Sequence, residues 1–261
     1  MIRSLMIAAS GMDVQQTNMD VISNNLANVN TSGFKRSRGD FQDLLYQTIM
    51  PPGAPSSSST EAPTGMQIGL GSRVVSVNKI FTQGELRQTG NELDIAIEGE
   101  GFLQVLLPTG EKAYTRDGAI KKNSTGKLVT PNGYAIEPAI TVPDNASFLT
   151  IAADGTVSAL LSGSTTPTVL GTLQLARFSN PSALRSLGKN LLAATPSSGT
   201  AAVGNPGQNG LGTIAQGFLE ASNVNIVEEM VSMIVGQRAY EINSKVIQTV
   251  DQMLRTATNV R

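Results

Sequence analysis

Two Ser-x-x-Lys tetrads, Ser32-Gly33-Phe34-Lys35 and Ser186-Leu187-Gly188-Lys189, are where this sequence comes nearest to a catalytic signature. In acylating enzymes with that pattern the serine is the nucleophile, and companion Ser-Asp-Asn and Lys-Thr-Gly motifs complete the site. Neither companion occurs in the chain. Gly99-Glu100-Gly101 lacks the third glycine of a dinucleotide fingerprint and leads into a second strand pattern, where a pyrophosphate needs a helix N-terminus. The acid pairs Glu98/Glu100 and Glu228/Glu229 could do acid–base work or hold magnesium. A strand edge with its turn, and a helix N-terminus where acids complement the dipole, account for them more simply. Histidine and cysteine are absent, which removes most transition-metal sites, thiol nucleophiles, histidine-based triads and disulfides. The expectation is a protein with no catalytic residue, no metal and no cofactor, hence not an enzyme.

The composition points the same way. Only 15% of the 261 residues are charged and 4% aromatic, with no tryptophan, while glycine and small polar residues abound. That suits a turn-rich β protein better than an enzyme with a deep aromatic pocket. A net charge of −1 leaves no electrostatic footprint for nucleic acid or an anionic membrane, and Lys35-Arg36-Arg38 reads as a solvated turn. The apolar stretch Leu5 to Ala9 is shorter than the roughly 7–15 residues of a signal-peptide core, so the N-terminus reads as a retained helix. No run approaches the ~20 apolar residues that insertion into a bilayer requires.

What, then, do the elements position? Apolar residues at Ile2, Leu5, Met6, Ala9, Met12, Met19, Ile22 and Leu26 keep helical spacing, and Phe41, Leu44, Leu45 and Ile49 suggest a further short helix. Residues 1–49 therefore read as an N-terminal helical core segment. Residues 50–72 read as an extended Pro/Ser-rich segment. Residues 73–216 alternate short strands with turn signals at Pro108-Thr109-Gly110, Arg116-Asp117-Gly118, Pro131-Asn132-Gly133 and Asp154-Gly155, the pattern of a central antiparallel β-rich domain. Residues 217–261 return to helix, with Asn225 as N-cap and Glu228 three residues on. Met233, Tyr240, Ile247 and Leu254 recur every seven residues beside a second stripe of Val235, Ala239, Ile242, Val246, Val250, Met253 and Ala257. A heptad stripe favours a coiled-coil seam, and the second stripe makes the apolar face too wide for one partner helix. The fold class is α+β: two long terminal helices forming a coiled-coil-like core, with a β-rich domain between them.

Asn24, Asn25, Asn28 and Asn30 crowd the end of the first helix. Amides there can cap and turn the chain, or donate and accept between copies in a packed assembly. Gly33 is expected as the left-handed C′ residue that lets Phe34 pack back.

Three stretches carry a resemblance: NMDVISNNLANVNTSGFKR (Asn18 to Arg36), YTRDG with GKLVTPNGY (Tyr114 to Tyr134), and SNVNIVEEMVSMIVGQRAYEINSKVIQTVDQML (Ser222 to Leu254). With them the chain resembles the bacterial flagellar axial proteins of rod and hook, most closely the distal-rod type. It departs at Ala119-Ile120, where the family commonly carries an aromatic. The resemblance implies a structural subunit that assembles helically into the distal rod and transmits torque to the hook. Proximal-rod or hook subunits are the near alternatives. A secreted β-domain binding module that dimerises through its helices is the alternative of another class. The implied partners are further copies of itself, proximal rod proteins, the hook protein, the P and L rings and the flagellar export apparatus, with no nucleic acid and no membrane insertion. The implied location is the basal-body rod crossing the periplasm, reached without a cleavable signal. The assembly interface would draw on Leu5, Met12, Met19, Ile22 and Leu26 with the four asparagines, Gly33 and Phe34. From the last helix it would draw on Met230, Met233, Gln237, Arg238, Tyr240, Asn243, Ile247 and Leu254.

Overall fold

The computed structural model describes residues 2–53, 55–57, 60–61, 63–164 and 166–259. It is α+β, with one long helix at each end of the chain and an antiparallel β-rich region between. The chain divides into two compact units: residues 1–26, 37–78 and 225–261 form one, and residues 27–36 with 79–224 form the other.

The first unit holds both helices, α1 (Ile2–Ala27) and α2 (Ile226–Asn259). The expected cap of α2 is present: Asn225 Oδ1 accepts from the Val227 N–H at 3.1 Å and the Glu228 N–H at 3.5 Å, with Glu228 and Glu229 in the first turn. The helices run antiparallel. Gly11 lies opposite Asn243, Gly236 opposite Met19 and Gln15, and Asn25 opposite Glu229. Each step forward on α1 is a step back on α2. Gly11 leaves room for the Asn243 side chain, since a Cβ there would stand 2.9 Å from its Nδ2, whereas a Cβ on Gly236 would only reach ordinary contact with Met19 Cγ at 3.4 Å.

The segment after α1 corrects one expectation. Phe41, Leu45 and Ile49 have helical spacing, but they lie in strands β1 (Ser37–Asp43) and β2 (Tyr46–Met50) or the link between them. Aromatic and β-branched residues (Phe41, Tyr46, Thr48, Ile49) suit a pleated strand, and that preference overrides a short accidental period. The Pro/Ser-rich stretch holds β3 (Pro55–Ser57) and β4 (Thr60–Glu61), paired with each other. Strand β2 pairs with β5 (Met66–Gly69), with Met50 opposite Met66. The chain thus doubles back into a hairpin, where composition had suggested a linker running one way. Strand β6 (Ser72–Lys79) pairs with β1, and its Ser72 N–H donates to Ser10 Oγ of α1 at 3.3 Å.

In the second unit, β7 (Leu86–Gln88) pairs with Phe218–Glu220, and β8 (Ile95–Glu98) pairs with Thr213–Gln216. Strand β9 (Phe102–Leu106) lies between β10 (Lys112–Thr115) and Ala135–Glu137 in the largest sheet. Strands Ala146–Ile151, Thr156–Leu161 and Thr168–Thr172 form a separate three-stranded sheet. Hairpins fall at three of the four expected turns, where Gly110, Gly133 and Gly155 have φ near +84°. The exception is Arg116-Asp117-Gly118. A Cβ on Gly118 would stand 1.6 Å from the Ile95 carbonyl oxygen, so this glycine permits backbone contact with the edge of β8 and turns no hairpin. Aliphatic residues such as Ile95, Leu103, Leu128, Val157 and Leu175 fill the core, and Ile120 packs among them at the position of the departure noted above. Phe81, Phe102, Phe178 and Tyr114 form a chain of edge-to-face ring contacts.

Candidate functional site

The best-defined polar site is a buried carboxylate that holds the loop after α1 in place. Glu220 ends the short strand Phe218–Glu220, and its side chain is wholly shielded from solvent. Its Oε1 accepts from Lys35 Nζ at 2.5 Å and from the Gly84 N–H at 3.0 Å; its Oε2 accepts from Arg116 Nε at 2.9 Å. Lys35 Nζ also donates to the Thr82 carbonyl at 2.7 Å, and Arg116 Nη1 donates to the carbonyls of Gly99 and Gly101, each at 2.8 Å. The expectation of a solvated turn at Lys35 is therefore overturned: only 3% of its side chain is exposed. Phe34 is half-buried beneath the Lys79 ammonium, 4.9 Å from the ring centroid. The loop thus buries its cation by bringing it to an anion with matching donors, the condition under which a charge can leave water.

The electrostatics follow from this geometry. Burial pushes the Glu220 carboxyl up, but Arg116 and Lys35 together outweigh it and hold the group below the ordinary carboxylate range. Burial also lowers Lys35 against the raising effect of Glu220. Asp117, next to Arg116, is pushed up by burial, against hydrogen bonds from the Ala119 N–H and the Asn190 amide.

Gly33 sits within the same loop at φ +69°, and its N–H donates to the Glu220 carbonyl at 2.8 Å. Left-handed conformation was expected, but the role differs. The helix ends at Ala27, so Gly33 lies too far on to cap it, and a Cβ there would strike the backbone of Asp117 at 2.6 Å.

The asparagines separate by role. Asn25 is 1% exposed; its amide donates to the Ser37 carbonyl at 2.9 Å and to Glu229 Oε2 at 3.2 Å, and its oxygen accepts from the Ser37 N–H at 2.8 Å. Within the single chain these amide contacts are internal and tie α1 to Ser37 and Glu229. Ile22 is likewise buried inside the subunit. Asn28 accepts from Thr31 Oγ1 at 3.2 Å in a local turn, while Asn24 and Asn30 are exposed.

Along the helices, Leu5, Met12, Met19 and Leu26 are half-buried, as are Met233, Asn243, Ile247 and Leu254. Tyr240, Met230, Gln237 and Arg238 are exposed, with Arg238 paired to Glu241 at 2.9 Å. The second stripe faces out: Val235 is 63% exposed, and Ile242, Val246 and Met253 are exposed with it, joined by Val227, Val231 and Ile234. Val250 is the buried exception.

Four residues of the catalytic look-alikes make other contacts. Lys35 serves Glu220, away from any activation of Ser32. Lys189 Nζ meets Tyr134 Oη at 3.1 Å, Glu100 pairs with Arg177 at 2.7 Å, and Glu229 holds Asn25. Among the described residues no helix is long and apolar enough to cross a membrane.

The chain's sequence matches three models of one protein class. Residues 5–35 match the model for flagella basal body rod protein, 96–159 that for the flagellar hook protein FlgE/F/G D1 domain, and 215–260 that for the flagellar basal body rod FlgEFG protein C-terminal. The class is the axial proteins of the bacterial flagellum. Within it, the chain is 52% identical over 98% of both chains to the flagellar basal-body rod protein FlgG of Buchnera aphidicola. It is 48% identical to the FlgG of Borreliella burgdorferi over 100% of this chain and 99% of that one. It is 39% identical to the FlgG of Bacillus subtilis over the whole of both. The chain belongs to the FlgG family of flagellar basal-body rod proteins, and it is a structural subunit of the distal rod of the basal body.

Proposed function

We propose that the subunit builds the distal rod by helical stacking of copies, with α1 and α2 forming a coiled-coil-like layer and the β region projecting from it. The rod so built crosses the periplasm and carries torque to the hook. Its neighbours are other copies, the proximal rod proteins and the hook protein, with the P and L rings around it and export through the flagellar apparatus before folding.

The observation that carries this reading is the second stripe of α2. Val231, Ile234, Val235, Ile242, Val246 and Met253 are exposed although α1 already covers the other side of the helix. An apolar row of that length on an isolated subunit marks a surface meant to be covered. Burying each half-exposed side chain contributes about 1 kcal/mol, which in sum offsets the cost of immobilising a subunit.

The test is Val235→Asp combined with Ile242→Asp. Both positions face solvent in the single chain, so its melting temperature should stay within a few degrees of the parent. Rods should be absent from basal bodies viewed by electron microscopy with a label on this subunit. Full-length rods from the double variant would show that this stripe is not the seam.

A further inference from the structure

A small cavity in the second unit lies beside the Glu220 cluster. It has a volume of about 60 Å³ and is lined by Val29, Asn30 and Ser32 of the loop, Arg87 of β7, and Leu219 and Ser222 of the returning strand. That is room for about two waters, at ~30 Å³ each, or for the head of one carboxylate. Among the described residues two of its groups have no partner. Ser222 Oγ is buried without a hydrogen bond, a condition that costs stability unless something arrives to satisfy it. Arg87 is exposed and makes no ion pair among the described residues. The lining's own acid, Glu220, is already saturated by Lys35, Arg116 and Gly84. Counting Asp117 as well, the surroundings hold three cations, Lys35, Arg87 and Arg116, against two carboxylates, Glu220 buried and Asp117 half-buried. An anion is the favoured occupant, and a planar one matches the guanidinium fork.

We propose that this cavity receives a carboxylate side chain from a second copy of the chain, with Arg87 and Ser222 as donors. The chain itself carries matching acids. Asp13 and Asp20 are exposed on α1, seven residues apart and so on one face, and neither side chain makes an ion pair among the described residues. The proposal rests on the self-assembly reading above. It adds a polar contact that fixes which part of one copy meets which part of the next.

The test uses flagellated cells carrying the photo-crosslinking residue benzoylphenylalanine at Gln16, an exposed position between the two acids. Irradiated rods should yield a covalent product joining that site to peptide Ile80–Arg87 or Gln88–Lys112 of another copy. In parallel, Arg87→Glu should lower the number of rods at least tenfold while the isolated chain melts as the parent does. Asp13→Lys or Asp20→Lys should restore rods in the Arg87→Glu background. Parental rod numbers in Arg87→Glu, capture on other peptides only, or no rescue by either lysine would each overturn the proposal. So would saturable millimolar binding of acetate or inorganic phosphate by the isolated chain, followed at the Arg87 side-chain N–H by NMR, because it would make the cavity a site for free anions. A parent chain that forms no rods would overturn the rod reading and this proposal together, whereas the other failures leave parental rods intact.

Discussion

Glu220→Gln tests the buried lock most directly. The substitution keeps the shape and one acceptor oxygen but removes the charge that three donors share, Lys35 Nζ at 2.5 Å, Arg116 Nε at 2.9 Å and the Gly84 N–H at 3.0 Å. The new amide NH₂ must face at least one of these donors, and two buried cations lose their anion. Breaking a buried pair from one side costs about 3–5 kcal/mol. In a unit of about 150 residues each kcal/mol lowers the melting temperature by roughly 2–4 °C. The expected loss is therefore roughly 6–20 °C in the calorimetric transition of the second unit. Acid should narrow the gap. The folded Glu220 carboxyl lies below its ordinary value of 4.5, so its contribution is whole above that pH and is lost as pH falls through the depressed value. Asp117, raised above 3.8 by burial, has the opposite sign but is common to both proteins and cancels in the difference. Adding Lys35→Met should recover part of the loss, because one stranded cation is gone and residues in one network are not additive. A Glu220→Gln loss below about 1 kcal/mol, or strict additivity with Lys35→Met, would refute this account of the lock.

Gly33→Ala should destabilise the second unit by about 1–3 kcal/mol in a thermal melt, since it combines φ +69° with a Cβ 2.6 Å from a backbone nitrogen. Gly236→Ala should be neutral or stabilising by up to about 1 kcal/mol, because its Cβ would reach Met19 Cγ at 3.4 Å and alanine is the better helix former; a large loss of helicity by circular dichroism would contradict this. Met233→Asp or Leu254→Asp, on the half-buried side of α2, should abolish rods and also expose the helices to protease in the isolated chain while the β region stays resistant. Removing residues 51–65 should leave polymerisation intact, since Met50 and Met66 are already register partners, but give more curved filaments in micrographs; straight ones would reduce the hairpin tip to a dispensable loop.

Periodicity and turn chemistry made most of the fold legible. The 3.6-residue stripes marked both helices, the asparagine cap marked the start of α2, and glycine-containing turns marked three hairpins. Two features escaped because they depend on distant partners. Lys35 reads as solvated when only its basic neighbours Arg36 and Arg38 are considered, and its burial is set by Glu220, 185 residues away. Phe41 to Ile49 has a helical spacing whose outcome was decided by pairing with strands that begin at Met66 and Ser72. The asparagine cluster was half legible: that these amides do unusual work is evident from their number, but only the structure separates Asn25, spent inside the subunit, from the exposed Asn24 and Asn30.

The Glu220 lock also has an order in time. Its cations stand at positions 35 and 116, its backbone donor at 84, and its anion near the end of the β region. A chain delivered from its N-terminus presents the loop early and its counter-charge late. Until residue 220 has emerged, Lys35 and Arg116 only repel one another, so the interior they are to occupy offers them nothing and they stay in water. The closing contacts are long-range ones, which form slowly because a wide loop must first be brought together. Placing the keystone late in the order of the chain keeps the loop unlocked until the strand that carries Glu220 is made, with α2 still to follow.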